Sequence, residues 1–213
     1  MKTTYKITRF LLMPIIILAD FLQTNFTKHF TPMNMGPVTE PSYTNEIKKF
    51  FFNKDYVMDF GCGIGYFCNI FDKKKYIGLE INPKFIKRAK EINEQYIFKN
   101  FKDKKIKKLT KRVNAVLINN VLHHMSDEQV KNAVKFIKQN SKQGKVKLIA
   151  IEPVFPKKFF SLQFFLKALD IGNYIRTTSE YKKILKRNFK IKKSYTQKVG
   201  IASSVIFFCE LKR

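Results

Sequence analysis

Three of the chain's 8 glycines fall at positions 61, 63 and 65, inside VMDFGCGIGYF, directly after a short apolar run that carries one acid, Asp59. Glycine has no Cβ, so such a loop lets backbone come close to a bound molecule and turn through conformations that other residues resist. A G-x-G pair alone also makes plain tight turns. The next carboxylate narrows the reading: Glu80 ends the following apolar stretch about 20 residues on, where an acid can accept both hydroxyls of a ribose. That leaves a dinucleotide or S-adenosylmethionine as the ligand. The dinucleotide spacing G-x-G-x-x-G is not met, because Gly65 arrives one residue early. The three cysteines, Cys62, Cys68 and Cys209, have no metal-ligand spacing and no even disulfide count, so no metal is expected and a reducing, cytoplasmic setting is.

The elements that must position these residues alternate along the chain. Residues 56–60 and 76–81 read as strands, with a helix starting at 66–71 between them. A second helix opens at Pro83, a residue suited to a first helical turn. Residues 95–100 and 113–120 are strands, then a helix runs from about Ser126 to Gln139 with Ser126 and Gln129 spaced as a capping box. KVKLIAIEP is the fifth strand, and FKIKKSYTQ and SSVIFFCELKR form a closing pair. Alternating strand and helix with short apolar strands predicts an α/β, mostly parallel seven-stranded sheet, helices on both faces, and an antiparallel C-terminal pair.

At 213 residues and 45 % hydrophobic composition, one domain with a full core is expected and global disorder is not. Residues 1–44 read as an N-terminal extension, a basic and apolar segment followed by a Pro-, Thr- and Asn-rich linker or lid; the domain proper is 45–213. The apolar run at 10–19 is shorter than the ~20 residues of a spanning helix. It has the basic and apolar parts of a signal peptide but no small-x-small cleavage site, so a helix on a bilayer surface or on the domain's own core is expected ahead of secretion. The net charge of +26 has two readings: AT-rich codon usage, which leaves the deficit of acids unexplained, or a preference for a polyanion.

With these motifs in order, the chain resembles the class I S-adenosylmethionine-dependent methyltransferases. VMDFGCGIG resembles their first motif, YIGLEIN the second, VNAVLINNVLHHMSD the fourth with its following helix, and GKVKLIAIEP the next strand, over residues 45–153. The resemblance implies a Rossmann-like fold with S-adenosyl-L-methionine as cofactor. It puts Asp59 toward the methionine amino group and Gly61, Cys62, Gly63 and Gly65 around methionine and ribose. Glu80 would hold the ribose, Ile81 and Phe101 would lie against the adenine, and Asn119 near the methionine. Asn100 stands where the family usually has an Asp for the adenine amino group, and Asn114 also replaces an Asp, at a position read as structural.

Methyl transfer from a sulfonium needs no acid, and needs a base only if the acceptor must lose a proton. His123 and His124 are the base candidates; Glu152, at the end of the fifth strand, is expected to face the acceptor and orient an amine or hydroxyl. Arg176, before a helix that Thr178 or Ser179 would cap, could hold an anionic substrate group, and Tyr43 could close over the site. NNVL replaces the Asn/Asp-Pro-Pro-aromatic tetrad of RNA adenine enzymes, and no Pro-Cys nucleophile follows the fourth or fifth strand. A small-molecule or lipid-like acceptor is therefore expected, with an apolar acceptor-side insertion at 154–181 whose Phe159, Phe160, Phe164 and Phe165 would wall the pocket. RNA methylation and a cofactor-binding module without turnover are the alternatives. The Lys run at 102–112 reads as a solvated helix face or a contact for anionic headgroups, which would place the protein peripherally on a membrane.

Overall fold

The computed structural model describes residues 12–14, 41–154, 174–199 and 202–212. Within them the chain runs α1 (Pro41–Phe50), β1 (Val57–Phe60), β2 (Tyr76–Glu80), α2 (Pro83–Ile92), β3 (Ile97–Asn100), α3 (Ile106–Thr110), β4 (Ala115–Asn119), α4 (Asp127–Gln139), β5 (Lys147–Pro153), α5 (Thr178–Lys186), β6 (Phe189–Val199) and β7 (Ala202–Leu211). The strands form one seven-stranded sheet in the order β3-β2-β1-β4-β5-β7-β6. β1 to β5 pair parallel, and β7 pairs antiparallel with both β5 and β6. This is the expected architecture.

Side chains alternate across the sheet, so each strand feeds two apolar layers. Met58, Phe60, Leu79, Val116, Ile118, Leu148, Ala150 and Phe207 pack on one face with Ile106 of α3, Val130 and Ile137 of α4, and Tyr181 of α5. Val57, Leu117, Ile149 and Phe208 face the other way against Ile47 of α1 and against Phe51. A third cluster gathers Cys62, Cys68, Tyr76 and Phe98 under Ile86 and Ala89 of α2. Burial inside this apolar matter pushes the Cys68 thiol up to about 11 and the Cys209 thiol to about 12, so both act as neutral core fillers.

Local sequence sets most helix starts. Asn82 accepts from the Lys84 N–H ahead of Pro83, and Ser126 and Gln129 make the expected reciprocal box at α4. At α5 the cap is Thr177, boxed with Glu180, rather than Thr178 or Ser179, because only Thr177 has Glu180 three residues beyond it. The helix expected at 66–71 is reduced to a 3-10 turn at Cys68–Ile70, whose first N–H is taken by the carbonyl of Gly65.

At the amino ends of the strands, Asp55 is buried and accepts from the Phe52 N–H and from Lys147 Nζ at 2.8 and 2.7 Å. Asn114 bridges it to the backbone, donating to Asp55 Oδ1 and accepting from the Tyr56 N–H, each at 2.8 Å. The structural reading of Asn114 thus has a concrete form: it ties the entry of β1 to that of β4. Replacing Asn114 with Ala leaves both partners short of a bond, at a cost of about 2 kcal/mol. A thermal melt should fall by roughly 4–8 °C, while cofactor affinity, read at the opposite end of the sheet, stays constant.

Candidate active site

The strand order reverses between β1 and β4, and in such sheets the carboxyl ends at the reversal form the ligand crevice. Two connections flank it: the glycine loop after β1 and the turn after β4. The loop is fastened to β2, since the N–H groups of Gly61 and Cys62 donate to the Leu79 carbonyl at 2.7 and 3.1 Å. Gly61 has φ +77°, and a Cβ there would stand 2.5 Å from Cγ2 of Val121, so the glycine permits contact between the two connections. Gly63 has φ +54°, yet a Cβ on it would meet no heavy atom of the described residues within 4 Å. Among the described residues its bare backbone therefore borders open space. The Cys62 thiol is raised well above its ordinary value by burial first, then by the Asp59 and Glu80 charges, so it is not a nucleophile.

Glu80 holds the loop from beside it. Its Oε2 accepts from the Gly63 N–H at 3.0 Å, and its Oε1 from Ile81 and Asn82 N–H at 2.7 and 2.9 Å. A carboxylate offers about four acceptor sites, so capacity remains for a hydroxyl. Ile81 follows with 54 % of its surface exposed, an apolar side chain left bare at the end of a strand. Asn100 pairs in register with Glu80, donates to the Ile81 carbonyl at 3.0 Å and accepts from the Lys102 N–H at 2.9 Å. Phe101 stacks on Phe60 with centroids 5.3 Å apart and leans on Phe136, so one ring face belongs to the core.

Asp59 is buried, and Tyr76 donates its hydroxyl to Asp59 Oδ2 at 2.8 Å. Desolvation raises the carboxyl to about 7, helped by the charge of Glu80 and opposed by the Tyr76 bond. Tyr76 was not among the residues expected from sequence. The register that sets it two residues from Gly78, the partner of Asp59, exists only in the folded sheet.

The turn after β4 departs from expectation. Asn119 ends β4, half-buried, and Asn120 adopts a left-handed φ of +55°. Glu152, expected to orient an amine or hydroxyl of the acceptor, is bonded to the turn itself. It is 0 % exposed, its Oε1 accepts from Val121 and Leu122 N–H at 3.0 and 2.8 Å, and its Oε2 from His123 N–H at 3.2 Å. That same oxygen lies 3.0 Å from Nδ1 of His123, which is itself buried, while His124 is exposed with its ring 4.0 Å from that of His123. Arg176 is not presented to solvent for an anionic substrate either. At 6 % exposure it donates to the carbonyls of Leu122, Tyr174 and Met125 at 2.8, 3.0 and 2.7 Å, and from Nε and Nη2 to Asp127. The Tyr43 side chain and the insertion phenylalanines Phe159, Phe160, Phe164 and Phe165 lie outside the described residues.

The methyltransferase-domain family matches residues 17–188. The chain belongs to that family. It is an enzyme of the class I S-adenosylmethionine-dependent type. No curated protein matches the sequence. Among solved structures, a methyltransferase of Methanosarcina mazei described as SAM-dependent is 13 % identical with TM-score 0.61, covering 78 % of this chain and 96 % of that one. Magnesium protoporphyrin IX methyltransferase from Synechocystis PCC 6803 with bound SAH is 17 % identical with TM-score 0.57, over 80 % and 81 % of the two chains. The mitomycin 7-O-methyltransferase MmcR is 17 % identical with TM-score 0.59, over 80 % of this chain and 53 % of that one, so this chain spans about half of its length. At such identities these likenesses speak for the fold. The crevice itself fits the cofactor: bare backbone at Gly63, a rigidly held carboxylate at Glu80 and exposed apolar surface at Ile81 suit a sulfonium chain, a ribose and a purine.

The buried Asp59 sets a measurable linkage. Between pH 4 and 7 the unfolded chain ionises this carboxyl while the folded one keeps it protonated, so the folded state holds the extra proton and stability falls as pH rises. The loss is on the order of 4 kcal/mol and levels off above pH 7. Asp59→Asn keeps an acceptor for Tyr76 and removes this slope, so its unliganded melting temperature should exceed that of the wild type at pH 8 and match it near pH 4. Equal melting curves at pH 8 would show that the carboxyl is not held neutral.

Proposed function

We propose that this methyltransferase methylates a small-molecule acceptor at an oxygen or nitrogen that gives up its proton to His123. The observation that carries the reading is the contact of His123 Nδ1 with Glu152 Oε2 at 3.0 Å, inside a buried site at the carboxyl end of β4. A carboxylate there favours the tautomer with hydrogen on Nδ1, which makes Nε2 the basic nitrogen. Glu152 orients this ring rather than touching the acceptor. When bound, S-adenosylmethionine supplies a methyl group on a sulfonium, and the leaving thioether is neutral, so no general acid is called for. Asp59, Gly61, Cys62, Gly63, Gly65 and Asn119 would border its methionine and ribose. Glu80 would accept the ribose hydroxyls, and Ile81, Asn100 and Phe101 would flank the adenine. The names of the mitomycin and magnesium protoporphyrin IX enzymes, both acting on small molecules, support this acceptor class.

A second observation favours a lipid-like acceptor met at an anionic membrane surface. α3 buries Ile106 and Thr110 and turns Lys107, Lys108 and Leu109 outward, flanked by exposed Lys102, Lys104, Lys105, Lys111 and Arg112. Leu109 is 39 % exposed among these cations, a mixture that suits headgroups with an apolar layer beneath them. Among the described residues no helix is long and apolar enough to cross a membrane.

Incubating the methyltransferase with methyl-labelled cofactor and separated metabolite, lipid, RNA and protein fractions tests the acceptor class. Label in the metabolite or lipid fraction is expected, and label confined to RNA would reverse the assignment. Once an acceptor is found, His123→Gln should lower kcat by roughly 100-fold or more with cofactor affinity within about threefold of wild type. Glu80→Ala should instead abolish tight cofactor binding in calorimetry. For the membrane reading, sedimentation with phosphatidylglycerol vesicles should drop when Lys105, Lys107, Lys108 and Lys111 are changed to Glu; no sedimentation of the wild type rejects it.

A further inference from the structure

The turn after β4 is held from two opposite sides by two buried charges that do not touch each other. On one side Glu152 takes the amide N–H groups of Val121, Leu122 and His123. On the other, Arg176 donates to the carbonyls of Leu122 and Met125, and the Tyr174 N–H donates to the carbonyl of His123 at 2.8 Å. The peptide dipoles of the turn thus point their positive ends at the carboxylate and their negative ends at the guanidinium. A guanidinium has five N–H donors, and the bonds to Leu122, Tyr174, Met125 and, twice, Asp127 engage every one. Such a planar fork fixes orientation as well as position. A surface arginine would not be spent this way, and burying it is costly unless every donor is met. The backbone of 121–125 is consequently one of the most tightly specified pieces of the crevice, and it is the piece that carries His123.

We infer that Arg176 is a positioning residue for methyl transfer: it fixes the backbone of the β4 turn so that the His123 ring stays aligned on Glu152. The inference rests on the reading of His123 as the base, but it concerns a different residue that acts without touching acceptor or cofactor. Lysine at this position could reach one or two of the carbonyls and could not supply the fork. The turn would then gain freedom, the Nδ1–carboxylate contact would loosen, and the reacting geometry would be populated less often. The cofactor side would change little, because Glu80 and the glycine loop are held by β2.

The test uses Arg176→Lys in the full chain, with three readouts. Cofactor affinity by calorimetry should stay within about threefold of wild type, and kcat should fall roughly 10–100-fold. The low-field proton resonance of His123 Nδ1–H, assigned as the signal lost in His123→Gln, should shift or broaden in Arg176→Lys. Should the lysine variant not fold, Arg176→Gly with added guanidinium gives the second route, with activity regained with guanidinium and not with ammonium. Wild-type kcat in Arg176→Lys overturns the inference, as does a lower kcat with the resonance unmoved, or a loss of folding that guanidinium does not repair. Wild-type kcat in His123→Gln removes the base reading instead; the resonance then still reports whether Arg176 positions the ring.

Discussion

A carboxylate without solvent exposure, Glu152, organises the carboxyl end of this sheet. An ionised acid taken out of water survives only if its lone pairs are met. Here they are met by three consecutive backbone N–H groups and a histidine ring, all from the turn that follows β4. Satisfying one charge therefore shapes a whole connection, down to the left-handed Asn120 at its start. The same turn brings Val121 against Gly61, so the position of the glycine loop depends in part on that acid too.

The glycine loop shows how packing and binding divide the same residue type. Phe98 fills the space that Gly65 and Gly78 leave vacant, with ring atoms 2.6 and 2.5 Å from where their Cβ atoms would stand. Both positions must be glycine for that ring to pack. Gly63 instead opens on the crevice, since none of the described residues lies near its missing side chain. Asp59 lies between the two roles. Its burial destabilises the ionised form, against the opposing bond from Tyr76, a strain of the kind that binding sites carry and that a cation arriving nearby would relieve.

The positive charge of the chain divides along similar lines. Lys147 is structural, bonded to Asp55 and to the Phe50 carbonyl at 3.0 Å, and Arg176 is spent on the β4 turn. The cations of 102–112 are exposed, beyond the edge strand β3 and directly after Asn100 and Phe101. A net charge counted from composition treats these groups alike; only the exposed ones can contribute to a field felt by a polyanion.

The sequence alone determined the fold class, the strand-helix alternation, the helix starts at Pro83 and Ser126, and the glycine loop with Glu80 as the acid of the next strand. These are local or periodic features: a cap needs three residues, a strand needs alternation, a loop needs glycines at fixed offsets. Tertiary structure decided what Glu152 and Arg176 do. From sequence, an acid at a strand end and an arginine before a helix both read as groups that meet a ligand. Residues 30 and 54 positions from Leu122 converge on it through its N–H and its carbonyl, and no local pattern encodes such a meeting. The Tyr76–Asp59 bond was hidden for the same reason, because the register between two parallel strands is fixed by packing across the sheet and not by either strand's own residues.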